Sequence, residues 1–121
     1  LNEQSTIDTI VKQTVDALLS SNGTATITTI LKEDLSKRRQ LERNFKKQIG
    51  VSPKQLGKVI RLQSALKMLL NKETDSLTKI AYESDYFDQA HFNKDFKEFT
   101  GISPTAFLRN EQMVLSTLFY K

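Results

Sequence analysis

Residues 45–53 read FKKQIGVSP, and residues 96–104 read FKEFTGISP. The two stretches agree at Phe, Lys, Gly, Ser and Pro with a constant offset of 51 residues. Each predicts the end of one helix and the start of another. Glycine accepts the left-handed backbone that closes a helix. Ser-Pro then supplies a capping hydroxyl and a residue whose missing N–H costs nothing at the first helical position. Leu41 and Phe92 fall in register as core residues four positions upstream of the two phenylalanines. An offset of 51 is too long for a common solenoid repeat, and two copies are too few for one. Duplication of a helix-turn-helix unit is the better reading, each copy preceded by a short helix and a turn.

Working outward from the repeat, helical periodicity dominates and strand-like alternation is absent. Residues 5–20 place Ile7, Ile10, Val11, Val15, Leu18 and Leu19 on one stripe, stopped by Asn22-Gly23. A short helix is predicted from Ile27 to Leu35 with Ile27, Ile30 and Leu31 inward. A third runs from Lys37 to Ile49 with Leu41, Phe45 and Ile49 inward. A long helix opens at Pro53 and reaches Leu70, with Leu56, Val59, Ile60, Leu66, Leu69 and Leu70 apolar, until the polar NKETDS (71–76) breaks it. Leu77 to Ser84 follows, with Leu77, Ile80 and Ala81 inward. After a turn at 85–87, Asp88 caps a helix to Thr100 with Phe92, Phe96 and Phe99 inward, and Ser103-Pro104 starts the last one. The expected architecture is all-α: about seven helices in two helix-turn-helix subdomains, residues 1–52 and 73–121, joined by a linker helix at 53–72. The apolar C-terminal MVLSTLFYK is expected either to pack back on the fold or to meet a partner.

The 121 residues lie within the usual single-domain range, and 38% hydrophobic with 26% charged side chains suits a modest core. No apolar run approaches the roughly 18–20 residues of a membrane span, and no signal peptide is expected from the opening residues. The sequence starts at Leu1 without an initiator Met and is expected to be part of something longer. With no Cys, thiolate metal sites, disulfides and Cys nucleophiles are excluded. With one His, a multi-histidine metal centre cannot be built, and a Ser-His-Asp triad would have to recruit His91. No glycine-rich phosphate loop or clustered carboxylates stand at a recognisable spacing. The reading is therefore not an enzyme, with no catalytic residue, metal or cofactor.

Charge is concentrated rather than spread. Residues 1–35 and 73–121 each carry a net −3, while residues 36–72 hold 11 basic and 1 acidic side chain, net +10. Such a block reads as a polyanion-binding face, with plain solvated surface as the bland alternative. In a helix-turn-helix the first helix braces the second, whose exposed N-terminal half enters the major groove. Arg fits the paired acceptors of guanine, Gln those of adenine, and Glu accepts from cytosine N4. Arg39 and Arg43 stand one turn apart with Glu42 beside them, a base-reading face in which Glu42 could equally hold an Arg in place. Lys37, Lys46, Lys47, Lys54 and Lys58 suit phosphates, which position without specifying. Arg61, deep in the linker helix, reads first as an intramolecular salt-bridge partner.

RRQLERNFKKQIGVSPKQL (38–56), VIRLQSALKMLL (59–70) and SLTKIAYESDYFDQAHFNKDFKEFTGISP (76–104) together resemble the AraC/XylS family of bacterial transcription regulators. The resemblance covers nearly the whole chain. It implies sequence-specific binding of double-stranded DNA, with two recognition helices in successive major grooves. The positions matching base-contacting residues are Arg39, Glu42 and Arg43 in the first unit, with Arg38 as the competing register, and Gln89, Ala90, His91 and Lys94 in the second. For His91 a phosphate contact, a plain surface role, a base contact and catalysis stay open. The resemblance further implies a bacterial, cytoplasmic, nucleoid-associated activator, an additional N-terminal sensor or dimerisation domain, and contact with RNA polymerase.

Three departures from the family pattern matter. Asp85 stands where most members have glycine, in a turn expected to need a left-handed residue. Lys37 aligns with the usual Ser cap, so Ser36 is expected to cap one residue early. Leu31 stands near the place of a small residue. The second recognition helix sets Asp88, Asp95 and Glu98 against Lys94 and Lys97, so the first unit is expected to dominate affinity. The competing function is a helical protein-interaction module whose basic helix docks an acidic partner; RNA binding is a lesser variant. An 18-residue linker helix spans about 27 Å, most of the 34 Å between successive grooves.

Overall fold

The computed structural model describes residues 3–32, 35–71 and 76–109. The polar break at 72–75 and the C-terminal MVLSTLFYK lie outside the described residues. Among those described the chain is all-α: α1 Glu3–Ser20, α2 Ile27–Leu31, a 3-10 turn Leu35–Lys37, α3 Arg38–Ile49, α4 Pro53–Leu70, α5 Leu77–Glu83, α6 Gln89–Thr100, and α7 at 104–109. It divides into two compact units between Ser64 and Ala65, so the boundary falls inside the continuous helix α4.

In the first unit, Ile7, Val11, Thr14 and Leu18 form the buried stripe of α1. Thr14 is the one polar member, and its hydroxyl donates to the Ile10 carbonyl (2.7 Å), which removes the cost of burying it. These side chains meet Leu41 and Phe45 of α3, both completely buried, with Ile27, Leu31, Leu56 and Ile60 around them. Leu19, expected on the stripe, is 61% exposed. A step of about 100° from Leu18 carries it off the buried face. α2 is shorter than predicted: it ends at Leu31, and Lys32 adopts a left-handed φ of 58°.

Gly23 and Gly57 bring the loop after α1 against the first turns of α4. A Cβ on Gly57 would stand 2.6 Å from the Gly23 carbonyl oxygen, and one on Gly23 would overlap the Gly57 carbonyl, so both positions require glycine for close approach. Arg61 Nη1 donates to that same Gly23 carbonyl. Its partner is thus intramolecular, as expected, but the bond is to backbone.

The second unit has a core of rings. Tyr86, Phe92, Phe96 and Phe107 follow one another at centroid separations of 5.4, 5.7 and 5.6 Å, mostly edge to face. Such contacts add roughly 0.5–1.5 kcal/mol per pair beyond burial. Ala65, Met68 and Leu69 are the residues that α4 buries in this unit, while Leu70 is 39% exposed. Ser76 caps α5 by accepting from Lys79 N, and Ile80 and Ala81 are buried. Asp85 adopts φ 64°, the left-handed turn the sequence predicted, and Tyr86 N–H returns to the Ala81 carbonyl (3.0 Å).

The repeat is reproduced atom for atom at its ends. Gly50 and Gly101 take φ 98° and 87°, and their N–H groups donate to the Lys46 and Lys97 carbonyls, both at 2.8 Å. Ser52 and Ser103 accept from Gln55 N and Ala106 N, both at 3.1 Å. Ile49 (42%) and Phe99 (60%), both expected inward, are exposed. In each helix complete burial ends at the repeat phenylalanine, and the last turn projects past the core.

Candidate nucleic-acid interface

α3 and α6 begin and end 51 residues apart, at Arg38/Gln89 and Ile49/Thr100. This makes Arg38 the counterpart of Gln89 and Arg39 that of Ala90. Leu41 and Phe45 fix which way α3 faces. At about 100° per residue, Arg39 and Arg43 lie roughly 160° and 200° around the helix from Leu41, directly away from the core. Arg39, Arg43, Lys46 and Lys47 are exposed on that face. Arg38 and Glu42 occupy a flank, where Arg38 Nε donates to Glu42 Oε1 at 3.3 Å. Both are about half exposed, so the pair adds little stability. Glu42 therefore holds an Arg in place, and that Arg is Arg38, which leaves Arg39 and Arg43 outside the pair.

The start of α3 is built against helix stability. Lys37 occupies the N-cap position without a side-chain cap bond, at the end of the 3-10 turn that contains Ser36, and no acidic residue lies in the first turn. Cations at a helix N-terminus oppose the macrodipole, at a typical cost of 0.3–1 kcal/mol each. Lys37 and Arg39 thus sit where their charge opposes the helix dipole, and Arg38 offsets that only through its exposed pair with Glu42. Lys54, exposed, and Lys58, half-buried, continue the basic surface along the first turns of α4. Arg38, Lys54 and Arg61 also edge a cavity of about 350 Å³ walled by Thr24, Thr26 and Pro53.

α6 has the same frame with other chemistry. Asp88 accepts from His91 N–H at 2.8 Å and so caps the helix with a favourable charge. Ala90 and Lys94 occupy the outward positions of Arg39 and Arg43 and are exposed. Gln89 is half-buried, its Oε1 accepting from Thr78 of α5 at 2.6 Å. His91, exposed, sits on the opposite flank: Nε2 is 3.3 Å from Oδ2 of the buried Asp95, and its ring meets Tyr86 edge-on at 5.3 Å. Thr78 was not among the residues singled out from the sequence, and Asp95 was read there only as negative charge set against Lys94 and Lys97. The His-x-x-x-Asp spacing was readable, but between Lys94 and Phe96 the Asp looks like ordinary surface charge.

No helix among the described residues is long and apolar enough to cross a membrane. A family model described as a helix-turn-helix domain matches residues 36–110. The chain is 40% identical over 67 residues to the HTH-type transcriptional regulator MtrA of Neisseria gonorrhoeae, covering 55% of this chain and 22% of that protein. It is 38% identical over 68 residues to an uncharacterized HTH-type transcriptional regulator of Haemophilus influenzae, covering 56% and 22%. A similar match, 37% over 70 residues, covers 58% of this chain and 23% of the HTH-type regulator YidL of Escherichia coli. The chain thus spans under a quarter of the length of these relatives. No solved structure matches it significantly.

Proposed function

The chain belongs to the AraC-type helix-turn-helix family, and from that premise we propose that it is the DNA-binding part of a bacterial transcription regulator. It recognises a specific double-stranded sequence by placing α3 and α6 in successive major grooves. The observation that carries this reading is the identity of frame between the two helices: same length, same glycine closure, same buried phenylalanine, same Ser-Pro exit. A docking module for an acidic protein would need only one basic helix and leaves the duplicate unexplained.

Arg39 and Arg43 are the principal base readers, with Glu42 setting the position of Arg38 beside them. Gln89, Ala90, His91 and Lys94 face bases in the second groove. Lys37, Lys46, Lys47, Lys54 and Lys58 meet phosphates, so affinity falls steeply with salt. The same reading places the protein in the cytoplasm on chromosomal DNA. It makes RNA polymerase and a separate sensor or dimerisation region its other partners.

Selection of bound duplexes from a random pool tests the proposal directly. The expected product is a bipartite motif whose halves lie about one helical turn, 10–10.5 bp, apart, bound with a steep salt dependence. Recovery of a single half-motif would remove the two-groove claim. Recovery of no motif, with salt-insensitive binding, would remove DNA reading altogether.

A further inference from the structure

We infer that Asn93 is a further base-reading residue of α6, and that the base it reads is adenine. This rests on the reading that α6 enters a groove. Asn93 follows Glu42 by the same offset of 51 residues that relates the two helices. Each stands one residue after a completely buried core side chain, Phe92 or Leu41, and so about 100° round its helix on the matching flank. On α3 that flank closes upon itself, because Arg38 Nε donates to Glu42 Oε1. On α6 the counterpart of Arg38 is Gln89, whose Oε1 accepts instead from Thr78 of α5. Asn93 is thereby left without the partner that its place in the frame would provide. Its Oδ1 is shielded from solvent and accepts no hydrogen bond from any described residue.

An amide oxygen kept from water with no donor raises the free energy of the folded chain. The fold therefore does not hold this carboxamide where it stands. Asn93 is half-buried, at the edge of the core, and its backbone is fixed by the burial of Phe92 and Phe96 on either side. Rotation of the side chain alone turns the carboxamide toward the groove, with Oδ1 as acceptor and Nδ2 as donor. Among the bases, adenine alone sets a major-groove donor, N6, beside an acceptor, N7, and so pairs with both ends at once. Guanine shows two acceptors and cytosine a single donor. Asn93 thus gives the second unit a two-point reader in place of the outward guanidinium groups of the first.

Base analogues in the selected duplex test this atom by atom. Deaza-adenine, with carbon in place of N7, still pairs with thymine but loses the acceptor. Placed at each adenine of the motif in turn, it should weaken binding by the unmodified chain at one position, roughly five- to tenfold, the effect of about one hydrogen bond. Asn93→Ala should lower affinity for the natural duplex roughly tenfold and lose nothing further with the analogue at that position. Asn93→Asp keeps the size and removes the donor, so a fresh selection should exchange the adenine for cytosine, whose N4 donates to a carboxylate. A residue that only packs would shift thermal stability and leave the motif as it was. An adenine preference that survives Asn93→Ala, or an analogue effect equal in both proteins, overturns the inference. Should the variants fail to fold, the side-chain amide signals of Asn93 in the unmodified chain decide. They should shift on binding the natural duplex and shift less with the analogue; signals that stay in place on binding overturn the inference as well. Recovery of a single half-motif by the unmodified chain removes the groove reading of α6, and this inference with it. A bipartite motif indifferent to Asn93→Ala removes the inference alone.

Discussion

Aligned by their offset, α3 and α6 share first and last positions, a left-handed glycine closure and a completely buried core, Leu41 with Phe45 and Phe92 with Phe96. Outside that frame they diverge. α3 carries five Arg or Lys side chains and one Glu, while α6 sets Lys94 and Lys97 against Asp95 and Glu98. α6 is capped by Asp88, whereas α3 starts on Lys37 with no side-chain cap and three consecutive cations. Packing residues therefore repeat because both helices solve the same burial problem. Charge and caps do not repeat, because they answer to what each helix meets outside the fold. α6 is arranged for its own stability, and α3 gives some of that up to concentrate positive charge at its N-terminal end.

The shared frame breaks most visibly at its phenylalanines. Phe45→Ala and Phe96→Ala should each destabilise their own unit by about 3–5 kcal/mol, the usual effect of emptying a buried aromatic site. Amide hydrogen exchange, followed unit by unit, measures this. Two units folded to one plan should lose comparable protection, and a loss under about 1 kcal/mol in either would mean that its phenylalanine does not anchor the recognition helix.

The outward faces should respond unequally. Arg43→Ala is expected to cost about 1–3 kcal/mol on the selected duplex and to relax its specificity. Lys94→Ala, at the matching position of the less basic helix, should cost under about 1 kcal/mol, because Asp95 and Glu98 of the same helix offset its charge. Titration by fluorescence anisotropy at fixed salt compares them. A larger effect at Lys94 would reverse the assignment of the first unit as the dominant one.

The smallest effect concerns the turns. Asp85 holds φ 64°, a conformation that glycine adopts without steric cost. Asp85→Gly should raise the stability of the second unit by roughly 0.5–1 kcal/mol and leave DNA affinity unchanged. Thermal unfolding reads the first, anisotropy the second. Destabilisation would show that the Asp side chain stabilises the turn by more than its backbone strain costs.

The order of helices, the glycine and Ser-Pro boundaries, the left-handed turn at Asp85 and the basic character of α3 were all determined by the sequence itself. Each is local: a cap, a φ preference or a charge is decided within a few residues, and the 3.6-residue period reports which face is apolar. Only the tertiary structure decided where burial stops. Leu19, Ile49 and Phe99 lie at positions that periodicity assigned to the core, yet they are exposed, because a helix can bury a residue only where another element lies over it. Partners were settled in the same way. Glu42 takes Arg38 rather than Arg39 or Arg43, and Arg61 finds the Gly23 carbonyl. Hydrogen-bond reach is about 3 Å, and which atoms come within that distance depends on rotamers and crossings that no periodic pattern encodes.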